Sequence, residues 1–161
     1  MTFKTLFLST LLMLGAQALA GGPLEPLFEK YHQVQTSLAA DKFEDAKAGV
    51  ALLEKAVAVV RDDNFSPSVK KTWNEQSKAL GAALAASAKT KDIGALRVQF
   101  EHISNAMIAL AKVTHPKGFQ EYRCPMAFNN KGANWLQKEK AAANPYYGAS
   151  MLRCGFPVAT K

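Results

Sequence analysis

The chain has 161 residues, and its 20 Lys and Arg against 13 Asp and Glu give a formal net charge of +7 at neutral pH. This length fits one domain of ordinary size. A basic balance can indicate nucleic-acid binding, but the charges are spread along the chain, and no arginine-rich cluster is interleaved with aromatic residues. A solvated surface, or one that meets an acidic partner, is therefore the better interpretation, and we expect no nucleic-acid partner.

Residues 1–20 have the layout of a secretory signal peptide. Lys4 precedes an apolar run from Leu6 to Leu14, and the run ends at Ala18-Leu19-Ala20, which has the small-x-small form of a cleavage site. The run is too short to span a membrane. We therefore expect export, most plausibly to a bacterial periplasm, and a mature chain of residues 21–161 that forms a single helical domain without a membrane span.

Between about residues 23 and 115, four segments carry apolar residues at the spacing of amphipathic helices. The second is predicted to begin at Asp41 with Glu44 completing a capping box, the third at Ser66-Pro67, and the fourth at Asp92. Four such helices joined by short polar turns predict an all-α fold, an antiparallel four-helix up-and-down bundle. The four stripes consist of Leu27, Tyr31, Val34 and Leu38; Phe43, Ala46, Val50, Leu53, Val57 and Val60; Val69, Trp73, Leu80 and Leu84; and Ile93, Leu96, Phe100, Ile103, Met107 and Leu110.

From about residue 116 to residue 161 the character of the chain changes. Pro, Gly, Asn and aromatic residues become frequent, and one short helix is predicted from about Ala133 to Ala143. Trp135, Tyr146 and Tyr147 give this tail enough apolar surface that we expect it to pack on the bundle. The tail also contains both cysteines of the chain, each close to a methionine.

The two cysteine motifs each point a thiol and a thioether in one direction. In Cys124-Pro125-Met126 the proline favours an extended backbone, so side chains two residues apart lie on the same side. In the segment from Met151 to Cys154 a spacing of three places both sulfurs on one face if the segment is helical. Asn144-Pro145 and Gly148 predict a sharp turn that could bring the second motif back to the first.

Two interpretations of these sulfurs stay open. Thiolate and thioether ligands select Cu(I) or Ag(I) over hard cations, which gives a candidate metal site of Cys124, Met126, Met151 and Cys154. His115, just before the tail, is a further candidate ligand, followed by His102 and His32. Alternatively, two cysteines in an exported chain most often form a disulfide, here Cys124–Cys154. That bond would stabilise the fold by roughly 3–4 kcal/mol in the chain-entropy model.

The tail pattern CPMAF, GANWLQ and NPYYGASMLRCG resembles the C-terminal signature of a family of small exported bacterial domains of unknown function. Members are also found appended to membrane-fusion subunits of heavy-metal efflux pumps for copper and silver. The stretches YHQVQTSLAADKFEDA and LRVQFEHIS resemble the helices of the same family, so the similarity covers nearly the whole mature chain. The resemblance implies copper or silver handling, with Cys124, Met126, Met151 and Cys154 at the positions that match the signature.

Together, these observations predict a periplasmic Cu(I) or Ag(I) binding protein that works with a heavy-metal efflux system or another envelope protein. The alternative is a disulfide-stapled helical interaction module of the cell envelope with no metal role. An enzyme is not expected, because the chain shows no Ser/His/Asp arrangement, no Cys-x-x-Cys motif and no phosphate-binding loop. The helices also lack the Glu-x-x-His pairs of a di-iron bundle.

Overall fold

The computed structural model describes residues 22–159, and the predicted signal peptide lies outside that range. The described part is mostly helical, which confirms the main prediction of fold class. It contains four long helices: α1 (Glu25–Ala39), α2 (Phe43–Ala58), α3 (Pro67–Ala88) and α4 (Ile93–Thr114). Most of the predicted stripe residues lie in one continuous apolar core, and Phe43, Val57, Val60, Trp73 and Ile93 pack against it while partly exposed.

Two of the three predicted helix starts are confirmed by their side-chain caps. Ser66 Oγ accepts the Val69 N–H at 3.4 Å, and Pro67 opens α3. Asp92 Oδ1 accepts the Ala95 N–H at 2.8 Å at the start of α4. Each cap satisfies a backbone donor that the first turn of the helix leaves without a partner.

The predicted cap at Asp41 is wrong. The N-cap of α2 is Lys42, which makes no side-chain capping bond. Asp41 has a positive φ of 58° and ends the turn after α1. Its carboxylate binds Arg97 and the backbone N–H of Ala149 instead, so a contact distant in the sequence takes the group that would otherwise cap α2.

Successive helices pack against each other, α1 on α2, α2 on α3 and α3 on α4, but α1 and α4 touch only slightly. The strand β2 (Ala133–Gln137) contacts both α1 and α4. The tail therefore fills the space that separates the first helix from the last. The antiparallel up-and-down course of the helices stays a prediction.

The tail contains a small antiparallel sheet, so the prediction of an all-α fold is wrong in this region. Strands β1 (Gln120–Cys124), β2 and β3 (Phe156–Pro157) lie in the order β2-β1-β3. Tyr122 pairs with Trp135, and Arg123 pairs with Asn134 on one side and Phe156 on the other. The short helix predicted from about Ala133 to Ala143 is also wrong, because residues 133–137 form β2. The sheet is accompanied by a one-turn segment, α5 (Ala127–Asn130), and a 3-10 helix (Gly148–Met151).

The tail packs on the helices through β2, as expected. Trp135, Leu136 and Gln137 are buried, and the Leu136 N–H donates to Tyr31 Oη at 3.0 Å. The Tyr31 ring stacks on Phe100 with 5.2 Å between ring centroids, which ties α1 to α4 beneath the strand. Among residues 22–159, none of the helices has the length and apolar character needed to cross a membrane.

Candidate functional site

The two cysteines, 30 residues apart in sequence, meet in the tail. Cys124 is the last residue of the central strand β1 and is fully buried, whereas Cys154 follows the 3-10 helix and is partly exposed. Their Sγ atoms lie 3.0 Å apart, and both are free thiols. This approach is the one expected from the turn between the two sulfur motifs.

Asn144 holds the Cys154 segment in place. Its side chain is fully buried, its Nδ2 donates to the Cys154 carbonyl at 2.7 Å, and its Oδ1 accepts the Tyr146 N–H at 2.9 Å. Its own N–H donates to the Leu152 carbonyl at 2.9 Å. The sequence indicated only a turn at Asn144-Pro145, and nothing in the local pattern revealed that this amide orders the cysteine.

Trp135 lies against the residue that follows Cys154. Gly155, the next residue, has φ +151°, and a Cβ there would lie 2.5 Å from Trp135 Cη2, so only glycine allows this approach. The Trp135 Nε1–H donates to Gln137 Oε1 at 2.8 Å, which satisfies the buried indole. Tyr122 and Tyr146 pack against the same ring at centroid distances of 5.7 and 5.9 Å. Gly155 and the two tyrosines therefore pack around one buried indole.

An arginine clamp, defined here as Arg97, Asp41 and Gly148, ties the second sulfur motif to the helices. Arg97 donates from Nε to the Pro145 carbonyl at 2.9 Å and from Nη2 to the Leu38 carbonyl at 2.9 Å and Asp41 Oδ1 at 2.6 Å. Asp41 Oδ2 accepts the Ala149 N–H at 2.8 Å. That bond and the Arg97 guanidinium hold the pKa of Asp41 below its usual value.

Both methionines lie between the two cysteines along the chain. Met126 has 45% of its surface exposed, its carbonyl accepts the Tyr147 hydroxyl at 2.8 Å, and its N–H donates to the Cys154 sulfur. Met151 ends the 3-10 helix, is partly buried, and accepts the Cys154 N–H with its carbonyl at 2.9 Å. Backbone contacts thus place both methionines next to Cys154.

The neighbouring thiol makes Cys154 harder to deprotonate. The hydrogen bond with Cys124 raises the pKa of Cys154 to about 11, and burial and the charge of Cys124 act in the same direction, while the Met126 N–H opposes them. A metal that binds here must displace a proton, since the thiolate is the ligand.

The histidines lie in other settings. His115 ends α4 in a left-handed conformation and lines a groove of about 720 Å³ with Phe119 and Leu136. His32 Nε2 lies 3.1 Å from Glu139 Oε1, and His102 is exposed on α4. Within residues 22–159, no three His, Cys, Asp or Glu side chains form a group that could hold a metal ion. At the cysteines, these four residue types therefore offer a metal two ligands, the thiols themselves.

The chain belongs to the family described as Protein of unknown function (DUF3347), which matches residues 27–118. The matched region covers all four long helices and ends before β1, so it does not include the cysteines. No curated protein and no solved structure matches the chain. The family relationship thus concerns the helices, and the sulfur site must be argued from its own chemistry.

Proposed function

We propose that this protein binds one Cu(I) or Ag(I) ion through the thiolates of Cys124 and Cys154, with the thioethers of Met126 and Met151 as further ligands. The observation that supports the proposal is the 3.0 Å approach of two free thiols that lie 30 residues apart in sequence. Each cysteine lies two or three residues from a methionine. Within residues 22–159, no group of three or more His, Cys, Asp or Glu side chains accompanies them.

Soft ligands and a fixed scaffold favour a soft, univalent ion. Thiolates and thioethers select Cu(I) over Mg²⁺ or Ca²⁺, which require oxygen ligands. Asn144 and the arginine clamp order the Cys154 segment before any ion arrives, so little conformational entropy remains to be lost on binding. The exposure of Met126 puts one proposed ligand at the surface, where an ion can enter or leave.

The proposed cellular role is copper or silver handling in the periplasm, either by sequestering the ion or by passing it to an efflux system or another envelope protein. The signal-peptide layout of residues 1–20 supports export. The resemblance of the tail to domains appended to metal-efflux subunits supports the link to efflux.

A second candidate is the disulfide-stapled interaction module, and the same sulfur distance favours it. The two Sγ atoms need to approach by only about 1 Å to reach the length of a disulfide bond. In this alternative the cysteines serve stability, and the methionines have no metal role.

A competition titration separates the two candidates. The reduced mature protein is titrated with Cu(I) in the presence of a chromophoric chelator, beside the double variant Met126→Leu/Met151→Leu and the single variant Cys154→Ser. We expect one ion per chain, a lower affinity for the methionine variant, and a still lower affinity for the cysteine variant, because a thiolate is the stronger donor. Leucine keeps the volume and apolarity of methionine, so stability should change little.

The disulfide candidate predicts a different ranking. Loss of a cysteine would lower the stability of the oxidised protein, the methionine replacements would have no effect, and the reduced parent would not compete with the chelator. Tight binding that survives both the cysteine and the methionine replacements would place the metal elsewhere, with His115, His102 and His32 as the next residues to replace.

A further inference from the structure

The two thiols differ sharply in their access to solvent. Cys124 is 0% exposed and lies in the central strand of the sheet, covered by the chain on both sides. Cys154 is partly exposed, and around it Met126 and Phe156 have 45% and 52% of their surfaces exposed. A reagent in solution therefore reaches the sulfur of Cys154 first.

The residue before the partly exposed cysteine is Arg153, which forms no ion pair with a carboxylate of residues 22–159. Arg123 donates to Asn134 Oδ1 at 2.9 Å and to the Lys131 carbonyl at 3.2 Å, and Arg153 donates to the Ala142 carbonyl at 2.8 Å. All three acceptors are neutral, but Asn134 also donates to Glu121 Oε1, so a carboxylate lies close to Arg123, and none of the carboxylates that the structure describes is bound to Arg153. The positive charge of Arg153 beside Cys154 therefore favours a negatively charged reagent.

We propose that Cys154 is a site of S-thiolation by anionic low-molecular-weight disulfides, and that Cys124 resolves the resulting mixed disulfide. The fully buried thiol at 3.0 Å cannot be reached from solution, yet it is in position to attack Cys154. This inference concerns the metal-free protein and does not depend on the proposed metal site.

The exchange proceeds in two balanced steps. Cys154 first gives up its proton, and the small thiolate fraction attacks one sulfur of the disulfide RSSR. A bond forms between Cys154 and that sulfur, and the other half leaves as RS⁻. The thiolate of Cys124 then attacks the Cys154 sulfur and expels the second RS⁻. Two electrons pass from the cysteine pair to the reagent, and the two cysteine protons end on the two RSH molecules.

The test uses reduced, metal-free, mature protein and oxidised glutathione as the probe. In the parent we expect the release of two molecules of reduced glutathione per chain. The protein should end with an internal disulfide and no lasting mixed disulfide. Cys124→Ala should accumulate a mixed disulfide at Cys154, whereas Cys154→Ala should react at Cys124 more slowly by about tenfold or more, because the remaining thiol is buried. Mass spectrometry with peptide mapping gives the site and the rate.

A measurement on the parent guards against variants that fold poorly. Acid quenching at early times should trap the mixed disulfide at Cys154 in unsubstituted protein. Trapping at Cys124, equal rates in the two variants, or a parent that keeps the mixed disulfide would each overturn the proposal.

Cystamine, a cationic disulfide, is the control for charge. Arg153→Gln should slow the reaction of Cys154 with oxidised glutathione and leave its reaction with cystamine as fast or faster. An equal effect on both rates would show that the charge of Arg153 does not select the reagent.

Discussion

Single residues in the turn before Met151 decide whether the sulfur motifs meet. Gly148 has φ +59°, and a Cβ at this position would collide with the Asp41 carboxylate and the Arg97 guanidinium. Its N–H also donates to the Asn144 carbonyl at 3.1 Å, within the turn that carries Cys154. The glycine is therefore required both by its backbone conformation and by the close approach of the clamp.

Gly148→Ala should lower the free energy of unfolding by at least about 1–3 kcal/mol, the cost of a left-handed non-glycine residue, with the displaced clamp adding to it. Gly81→Ala is the matched control. It lies within α3 with nothing within 4 Å of the added Cβ, so it should stabilise the protein by about 0.5–1 kcal/mol. Denaturant unfolding measures both, and a destabilisation shared by the two variants would show that the clamp is not the cause.

Asp41 should make the attachment of the tail sensitive to acid. Its folded-state pKa lies below the usual value of 3.8, so its contribution to stability is present in full above that value and is lost as the pH falls through the folded-state pKa. Parent stability should therefore fall between about pH 5 and pH 2 more steeply than that of Asp41→Asn. Asp45→Asn, an exposed carboxylate 3.9 Å from Lys42, is the control and should keep the parent's slope.

At the scale of elements, the helices could be predicted and the sheet could not. Amphipathic stripes and the caps at Ser66 and Asp92 depend on neighbours within a few residues, so the sequence contains them directly. Strand β2 is buried at four of its five positions, so it lacks the alternation that indicates a strand. Pairing with β1 and packing on α1 and α4 decide its conformation, and neither contact is visible in the local sequence.

Tyr31 joins β2 to the helices, and its hydroxyl should contribute more to the free energy of unfolding than a hydroxyl at the surface does. Burial raises the pKa of Tyr31 far above its usual value, so the group stays a neutral hydroxyl that pairs with Ser104 Oγ at 2.8 Å and accepts the Leu136 N–H. Tyr31→Phe leaves that N–H buried without this acceptor, which should cost about 1–3 kcal/mol.

The control for this deletion is Tyr147→Phe, which removes a hydroxyl from an exposed bond to the Met126 carbonyl and should cost less. Hydrogen exchange at the Leu136 amide gives the local measurement. We expect its protection to fall in Tyr31→Phe alone. Unchanged protection there would mean that β2 is held without Tyr31.

At the scale of the whole molecule, the family region and the sulfur site are separate parts of one structure. Residues 27–118 supply the helices, and the tail beyond them closes the space between α1 and α4 and brings the two cysteines together. The four sulfur residues could be proposed from sequence because proline and turn residues constrain their motifs locally. The clamp could not, because its contacts span up to 108 residues. The roles of Asn144 and Trp135 could not either, because they depend on how the tail folds back on itself.

X-ray absorption at the copper edge tests whether sulfur alone binds the metal. The sample is the reduced mature protein loaded with one equivalent of Cu(I). We expect a first coordination shell of sulfur only, with fewer sulfur neighbours in Met126→Leu/Met151→Leu. A first shell with imidazole nitrogen, or one unchanged by the loss of both thioethers, would contradict it.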